Sequence, residues 1–202
     1  PIKQTNILKM KIHELNCETD RLNVGYKGCV LDWKLIAGCF LYDNPRTFTA
    51  AEVAALQTTL QDDAWTDTKA DRCFPIHKFV NPTDSTEDPT IETFADGSKS
   101  KVRDGNYDWT FQFVAGGFGL LQALKSHESN GNTHVLFYDK ENKILGVNKS
   151  GQLSTIALQI FDVPAWKMNT GSATANYRVH FVFDADSANR NAEFVKADFD
   201  LT

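Results

Sequence analysis

The line NYDWTFQFVAG at residues 106–116 returns, with the same Asn, Tyr and two Phe at the same offsets, as NYRVHFVFDAD at residues 176–186. In each copy the bulky residues share one parity: Tyr107, Trp109, Phe111 and Phe113 in the first, Tyr177, Val179, Phe181 and Phe183 in the second. Asp108, Thr110 and Gln112 alternate with the first set, and Arg178 and His180 with the second. A period of two is the signature of a β-strand with one face in a core and the other toward water. The two lines are therefore expected to feed one β core. With only two matching segments, no solenoid-like array follows.

The remaining segments extend this to a fold class. THVLFYD, the turn-like KEN and KILGVN (residues 133–148) read as a hairpin, and LSTIALQIFDV (153–163) as a strand with two apolar sides, ended by Pro164. RTFTAAEVAALQTTLQDDAW (46–65) is the clearest helix. Thr49 is placed to cap it, Glu52 three residues on completes a capping box, and Phe48 can staple onto Val53. FGLLQALKSHESNGN (118–132) suggests a second, shorter helix that stops at Asn130-Gly131. The expectation is a mainly β, α+β chain: an antiparallel β-sandwich or barrel with two short helices and a long extended loop.

One domain of 202 residues is expected, in four parts. Residues 1–74 are an N-terminal segment with a helix at about 50–63, residues 81–105 an extended arm, residues 106–186 the main β core, and residues 187–202 a C-terminal tail. The arm, NPTDSTEDPTIETFADGSKSKVRDG, is polar and punctuated by Pro82 and Pro89, with Ile91 and Phe94 as its apolar anchors. A segment of that length inside a compact domain is usually functional or disordered.

Composition narrows the chemistry. Net charge is −5, and the acids concentrate in residues 82–108 and 184–202. No basic stripe is present, which argues against tight nucleic-acid binding. The N-terminal PIKQTNILKMKIHELN mixes lysines into its apolar positions, and no long apolar run follows, so neither a signal peptide nor a membrane span is expected. Cys17, Cys29, Cys39 and Cys73 form no C-x-x-C pair and read as free thiols.

Two motifs imitate sites. FQFVAGGFGLLQAL resembles a dinucleotide-binding turn, but Gln122 stands where a third small residue is needed, and Gly116 and Gly117 read better as a tight turn. DADSANRNAEF brings together Asp184, Asp186, Asn189, Asn191 and Glu193, oxygen donors that departs from the EF-hand spacing and reads as a solvated turn. The histidines are scattered, and no serine sits in a G-x-S-x-G elbow. No catalytic residue, cofactor or metal is expected. Trp33, Trp65, Trp109 and Trp166 leave a sugar-stacking platform open, so a carbohydrate- or protein-binding β-sandwich module is the alternative reading.

The run HKFVNPTDSTEDPTIETFADGSKSKVRDGNYDWTFQFVAGGF, then THVLFYDKENKILGV and LSTIALQIFDVPAWKM, resembles virion proteins of tailed bacteriophages. Polar arm, aromatic strand, short helix, hairpin and two long strands follow in an order similar to that of tail tube proteins, over roughly residues 75–185. The resemblance implies a structural virion protein without catalysis, made in the bacterial host cytoplasm. Its partners would be itself, in a homo-oligomeric ring that could be hexameric and stack into a tube, and other virion proteins. The long loop and termini would reach neighbouring subunits.

Overall fold

The computed structural model describes residues 35–65, 71–113, 118–128, 133–167, 177–185, 188 and 191–201. The chain begins with β1 (Ile36–Tyr42), β2 (Thr47–Phe48), α1 (Ala50–Ala54) and α2 (Leu56–Trp65). β3 (Cys73–His77), β4 (Val80–Asp84), β5 (Thr90–Thr93), β6 (Lys99–Arg103) and β7 (Asn106–Phe113) follow. Then come α3 (Phe118–Glu128), β8 (His134–Asp139), β9 (Lys143–Lys149), β10 (Gln152–Ser154) and β11 (Ile156–Ala157). β12 (Ile160–Asp162), β13 (Tyr177–Asp184) and β14 (Ala192–Lys196) complete it. The fold is mainly β, and its pairings are antiparallel.

The large sheet runs β2-β10-β9-β8-β1-β3, with β11 paired to β8 and β14 to β9; the second sheet runs β12-β13-β7-β4. The two repeated lines are β7 and β13, and they lie side by side. Tyr177 faces Phe113, Val179 faces Phe111, Phe181 faces Trp109 and Phe183 faces Tyr107. All eight sequence-derived core positions turn toward the large sheet: Phe111, Phe113, Val179, Phe181 and Phe183 are buried, and Tyr107, Trp109 and Tyr177 are half-buried against them. Duplication of the aromatic pattern thus produces a continuous inner face, because directly opposed residues of an antiparallel pair share one side of the sheet.

The large sheet is buried on both faces, which explains why its central strands β1 and β8 lack alternation. Cys39, Leu41, Val135 and Phe137 join the core between the sheets, while Phe40, Tyr42, Leu136 and Tyr138 enter a second core with Leu56 and Leu60 of α2. The layers are therefore helix, sheet, sheet. Gly146 lies where β8 and β9 separate to admit β10 and β11. A Cβ there would sit 2.4 Å from the Ser154 carbonyl oxygen and 2.8 Å from Leu136 and Leu153.

Three sequence expectations are corrected. The helix at about 50–63 is two helices, broken at Ala55, whose φ of −115° and ψ of 38° are not helical. There the Ala55 N–H is shared between the Ala51 and Glu52 carbonyls at 3.0 and 3.2 Å, and Thr59 Oγ1 donates to the Glu52 and Ala55 carbonyls at 3.2 and 3.1 Å, tying the two helices together across the break. LSTIALQIFDV is three short strands: β10 and β11 belong to the large sheet and β12 to the small one. Its two-sided apolar character comes from serving both sheets in turn. The expected C-terminal tail at 187–202 is not a tail over its described residues 191–201, since β14 pairs with β9, and Ala197 and Leu201 are buried in the second core. The Asn130-Gly131 stop, the Gly116-Gly117 turn, and Asp186 and Asn189 of the oxygen-rich loop lie outside the described residues.

The capping box is formed. Glu52 Oε2 accepts from the Thr49 backbone N–H at 2.7 Å, the Glu52 N–H donates to Thr49 Oγ1 at 3.3 Å, and Arg46 Nη2 donates to Glu52 Oε1 at 2.6 Å. The Thr49 N–H first, then Arg46, hold the Glu52 carboxyl down at about 2. A depressed carboxyl stabilises the fold above its unfolded value, near 4.3, and loses that contribution as the pH falls toward 2. Glu52→Gln keeps the box but removes the charge beside the helix N-terminus, and is expected to cost about 0.3–1 kcal/mol at pH 7. Urea unfolding should show the gap from the native chain closing between about pH 4 and pH 2; a gap independent of pH would mean that the charge contributes nothing.

Candidate assembly surface

Residues 81–105 are the most unusual part of the molecule. They are not a plain extended arm. β4 pairs along β7, and β5 and β6 form a separate two-stranded ribbon. Asp96-Gly97 makes the turn: the Gly97 N–H donates to the Phe94 carbonyl at 2.9 Å, the Phe94 N–H to the Ser98 carbonyl at 2.8 Å, and Gly97 adopts a φ of +82°. Asp96 Oδ1 locks the loop by accepting from the Ser98 N–H at 2.9 Å and its hydroxyl at 2.6 Å. A three-residue loop with a left-handed glycine is a standard hairpin closure. The missed signal was this Asp-Gly pair between T-I-E-T-F and S-K-S-K-V.

The ribbon is rooted in the small sheet. The Ser85 N–H donates to the Asp108 carbonyl at 2.8 Å and the Glu87 N–H to the Asn106 carbonyl at 3.0 Å. At the return, Gly105 passes so close to Glu87 that a Cβ would fall 1.9 Å from its carbonyl oxygen. Beyond this root, every residue from 81 to 103 is exposed. Pro82 and Pro89 are exposed on the way out. Ile91 and Phe94 anchor nothing within the chain, being 60% and 51% exposed, and Val102, which sequence reading passed over, is 54% exposed. These are three of the five exposed large apolar side chains among the described residues, so the ribbon gathers most of that unburied surface. A two-stranded ribbon is at best marginally stable alone in water, and covering each of these side chains is worth about 1.5–3 kcal/mol.

A second feature is a cleft of about 400 Å³ lined by Ala64, Cys73, Phe74, Ser126 and His127, among others. Asp43 pairs with two of its lining residues, Arg72 and His127. Its Oδ2 accepts from Arg72 Nη2 at 3.2 Å, and its Oδ1 lies 2.5 Å from His127 Nδ1. The carboxylate orients the imidazole, but no activated nucleophile lies with them among the described residues. Burial pushes the Cys73 thiol up to about 12, so at neutral pH it carries no thiolate. On the outer face of the small sheet, His180 Nε2 pairs with Asp108 Oδ1 at 2.8 Å, a half-exposed contact.

No protein-family model, curated protein or solved structure matches the chain. The surface itself therefore has to carry the functional reading. Among the described residues no group of three or more His, Cys, Asp and Glu side chains is placed to hold a metal ion, and no helix is long and apolar enough to cross a membrane. Cys39 and Cys73 are free and buried.

Proposed function

We propose that the protein is a structural subunit that assembles with copies of itself through the β5–β6 ribbon, as a ring- or tube-forming virion protein of the tail-tube kind. The observation that carries this is a hydrogen-bonded ribbon whose every residue is exposed and which presents Ile91, Phe94 and Val102 to solvent. A ribbon rooted in a sheet and carrying three exposed apolar side chains is a device for reaching another surface; left uncovered, those side chains are a liability. The layout of residues 75–185, similar to that of tail tube proteins, supports placing that surface on a neighbouring subunit in a virion, with other virion proteins as further partners.

Native mass measurement should find a closed oligomer or a polymer at micromolar concentration. In hydrogen exchange, the amides of β5 and β6 should exchange fast in the isolated chain and be strongly protected in the assembly. Equal protection in both states, or a chain that remains monomeric at high concentration, would overturn the proposal. A monomer that retains a sugar or peptide would favour a binding module instead.

A further inference from the structure

The acceptor for the ribbon can be sought on the same molecule, because head-to-tail assembly requires donor and acceptor surfaces on one chain. In the ribbon, Ile91 lies opposite Lys101 and Thr93 opposite Lys99, so these four share one face. Glu92 and Ser100 oppose each other on the other face. One side of the ribbon is thus an exposed isoleucine flanked by two lysines, although Lys101 also contacts Asp104 beside the root.

The small sheet carries the counterpart on its outer face. Ile160 of β12, 50% exposed, lies in register with Val182 of β13 and, beyond it, Asp108 of β7. The next row places Asp162 opposite His180, and the row on the other side places Asp184 opposite Asn106. Side chains of one parity share a sheet face, so Ile160 sits among Asp108, Asp162 and Asp184. Asp184 is exposed, and Asp108 and Asp162 are half-buried. One patch is an isoleucine among lysines; the other is an isoleucine among aspartates, of which Asp108 is held by His180 on the same face while Asp162 and Asp184 flank it.

We infer that the Ile91–Lys99–Lys101 face of the ribbon docks on the Ile160–Asp162–Asp184 patch of a second copy of this chain. The inference rests on the assembly reading above and adds the partner surface to it. The strand order β12-β13-β7-β4 sets the geometry, since the ribbon leaves from the β4 edge while the patch is centred on β12 at the opposite edge. Three strand spacings, roughly 14 Å, separate the two edges. A donor at one edge and an acceptor at the other make a heterologous contact, which closes into a ring or runs on as a filament. The β4 edge itself is unsuited to joining copies by strand addition, because Pro82 lacks a donor and the register shifts between Val80 and Thr83.

Charge reversal tests this. A ribbon variant, Lys99→Glu with Lys101→Glu, and a patch variant, Asp162→Lys with Asp184→Lys, should each associate on the order of a hundredfold more weakly than the native chain, because each turns attraction across the contact into repulsion. Unchanged circular dichroism and melting temperature would separate loss of docking from loss of folding. Mixed in equal amounts, the two variants should assemble again in one-to-one proportion, since the glutamate ribbon of one then meets the lysine patch of the other. Native assembly should weaken with added salt. If the ribbon variant fails to associate while the patch variant associates normally, the acceptor is elsewhere and the assembly reading stands. If the mixture fails to restore association, the pairing is wrong. If the native chain does not associate, both fall.

Discussion

Truncating Phe181 to alanine should lower the unfolding free energy by about 3–5 kcal/mol, the range for deleting a large buried aromatic ring. Phe181 is fully buried, and its ring meets those of Phe137 at 5.2 Å, Phe161 at 5.4 Å, Phe111 at 6.0 Å and Phe79 at 6.3 Å between centroids. The cavity would open where both sheets meet, and its lining comes from β1's neighbour β8, from β7 and from β12, none of which can collapse inward without disturbing its ladder. Phe111→Ala should cost a similar amount, because Phe111 stacks on Phe79 with centroids 4.6 Å apart and planes 9° apart. The double variant should lose less than the sum, since the two rings touch the same neighbours. Urea unfolding of the three variants is the measurement. Near-native stability for both single variants would mean that the parity of β7 and β13 identifies the wrong face.

Arg46→Ala should cost about 3–5 kcal/mol at neutral pH, the range for removing one partner of a buried ion pair. Arg46 Nε donates to Asp63 Oδ2 at 3.3 Å, and its guanidinium also reaches Glu52 and lies 4.8 Å from the centre of the Phe48 ring. The Asp63 side chain is 6% exposed, so without Arg46 its charge keeps, among the described residues, the Tyr42 hydroxyl at 3.4 Å. Burial already raises the Asp63 carboxyl above its ordinary value, with Arg46 as the main opposing influence. Loss of Arg46 raises it further. The deficit should therefore be full at pH 7 and shrink as the pH falls through the raised value, where Asp63 takes up a proton and the buried charge disappears. Arg46→Met combined with Asp63→Asn should recover most of the loss. A cost of under about 0.5 kcal/mol for Arg46→Ala would show that water reaches Asp63 and that the pair is effectively a surface one.

Local patterns carried much of the fold into view. Thr49 and Glu52 three residues apart announced the capping box, and the shared parity of Phe111, Phe113, Phe181 and Phe183 announced the inner face, because both depend on backbone geometry spanning a few residues. The break at Ala55 was hidden, since alanine is a good helix former and the apolar spacing of Val53, Leu56 and Leu60 runs through it without a stop signal. The ribbon was half legible: Pro82, Pro89, Ile91 and Phe94 marked the segment as unusual, while the Asp96-Gly97 turn that pairs its strands was overlooked.

Sequence alone determined that the chain is mainly β, where its aromatic core faces lie, and that residues 81–105 are polar and lack such a face, since alternation and turn chemistry act within a few residues. Tertiary structure alone decided that β7 and β13 are neighbours, that β1 and β8 are covered on both faces, that residues 192–196 complete a sheet, and that Ile91 and Phe94 point to solvent. Those outcomes depend on which distant segments meet, and an alternating strand specifies the face it buries without specifying the partner that buries it.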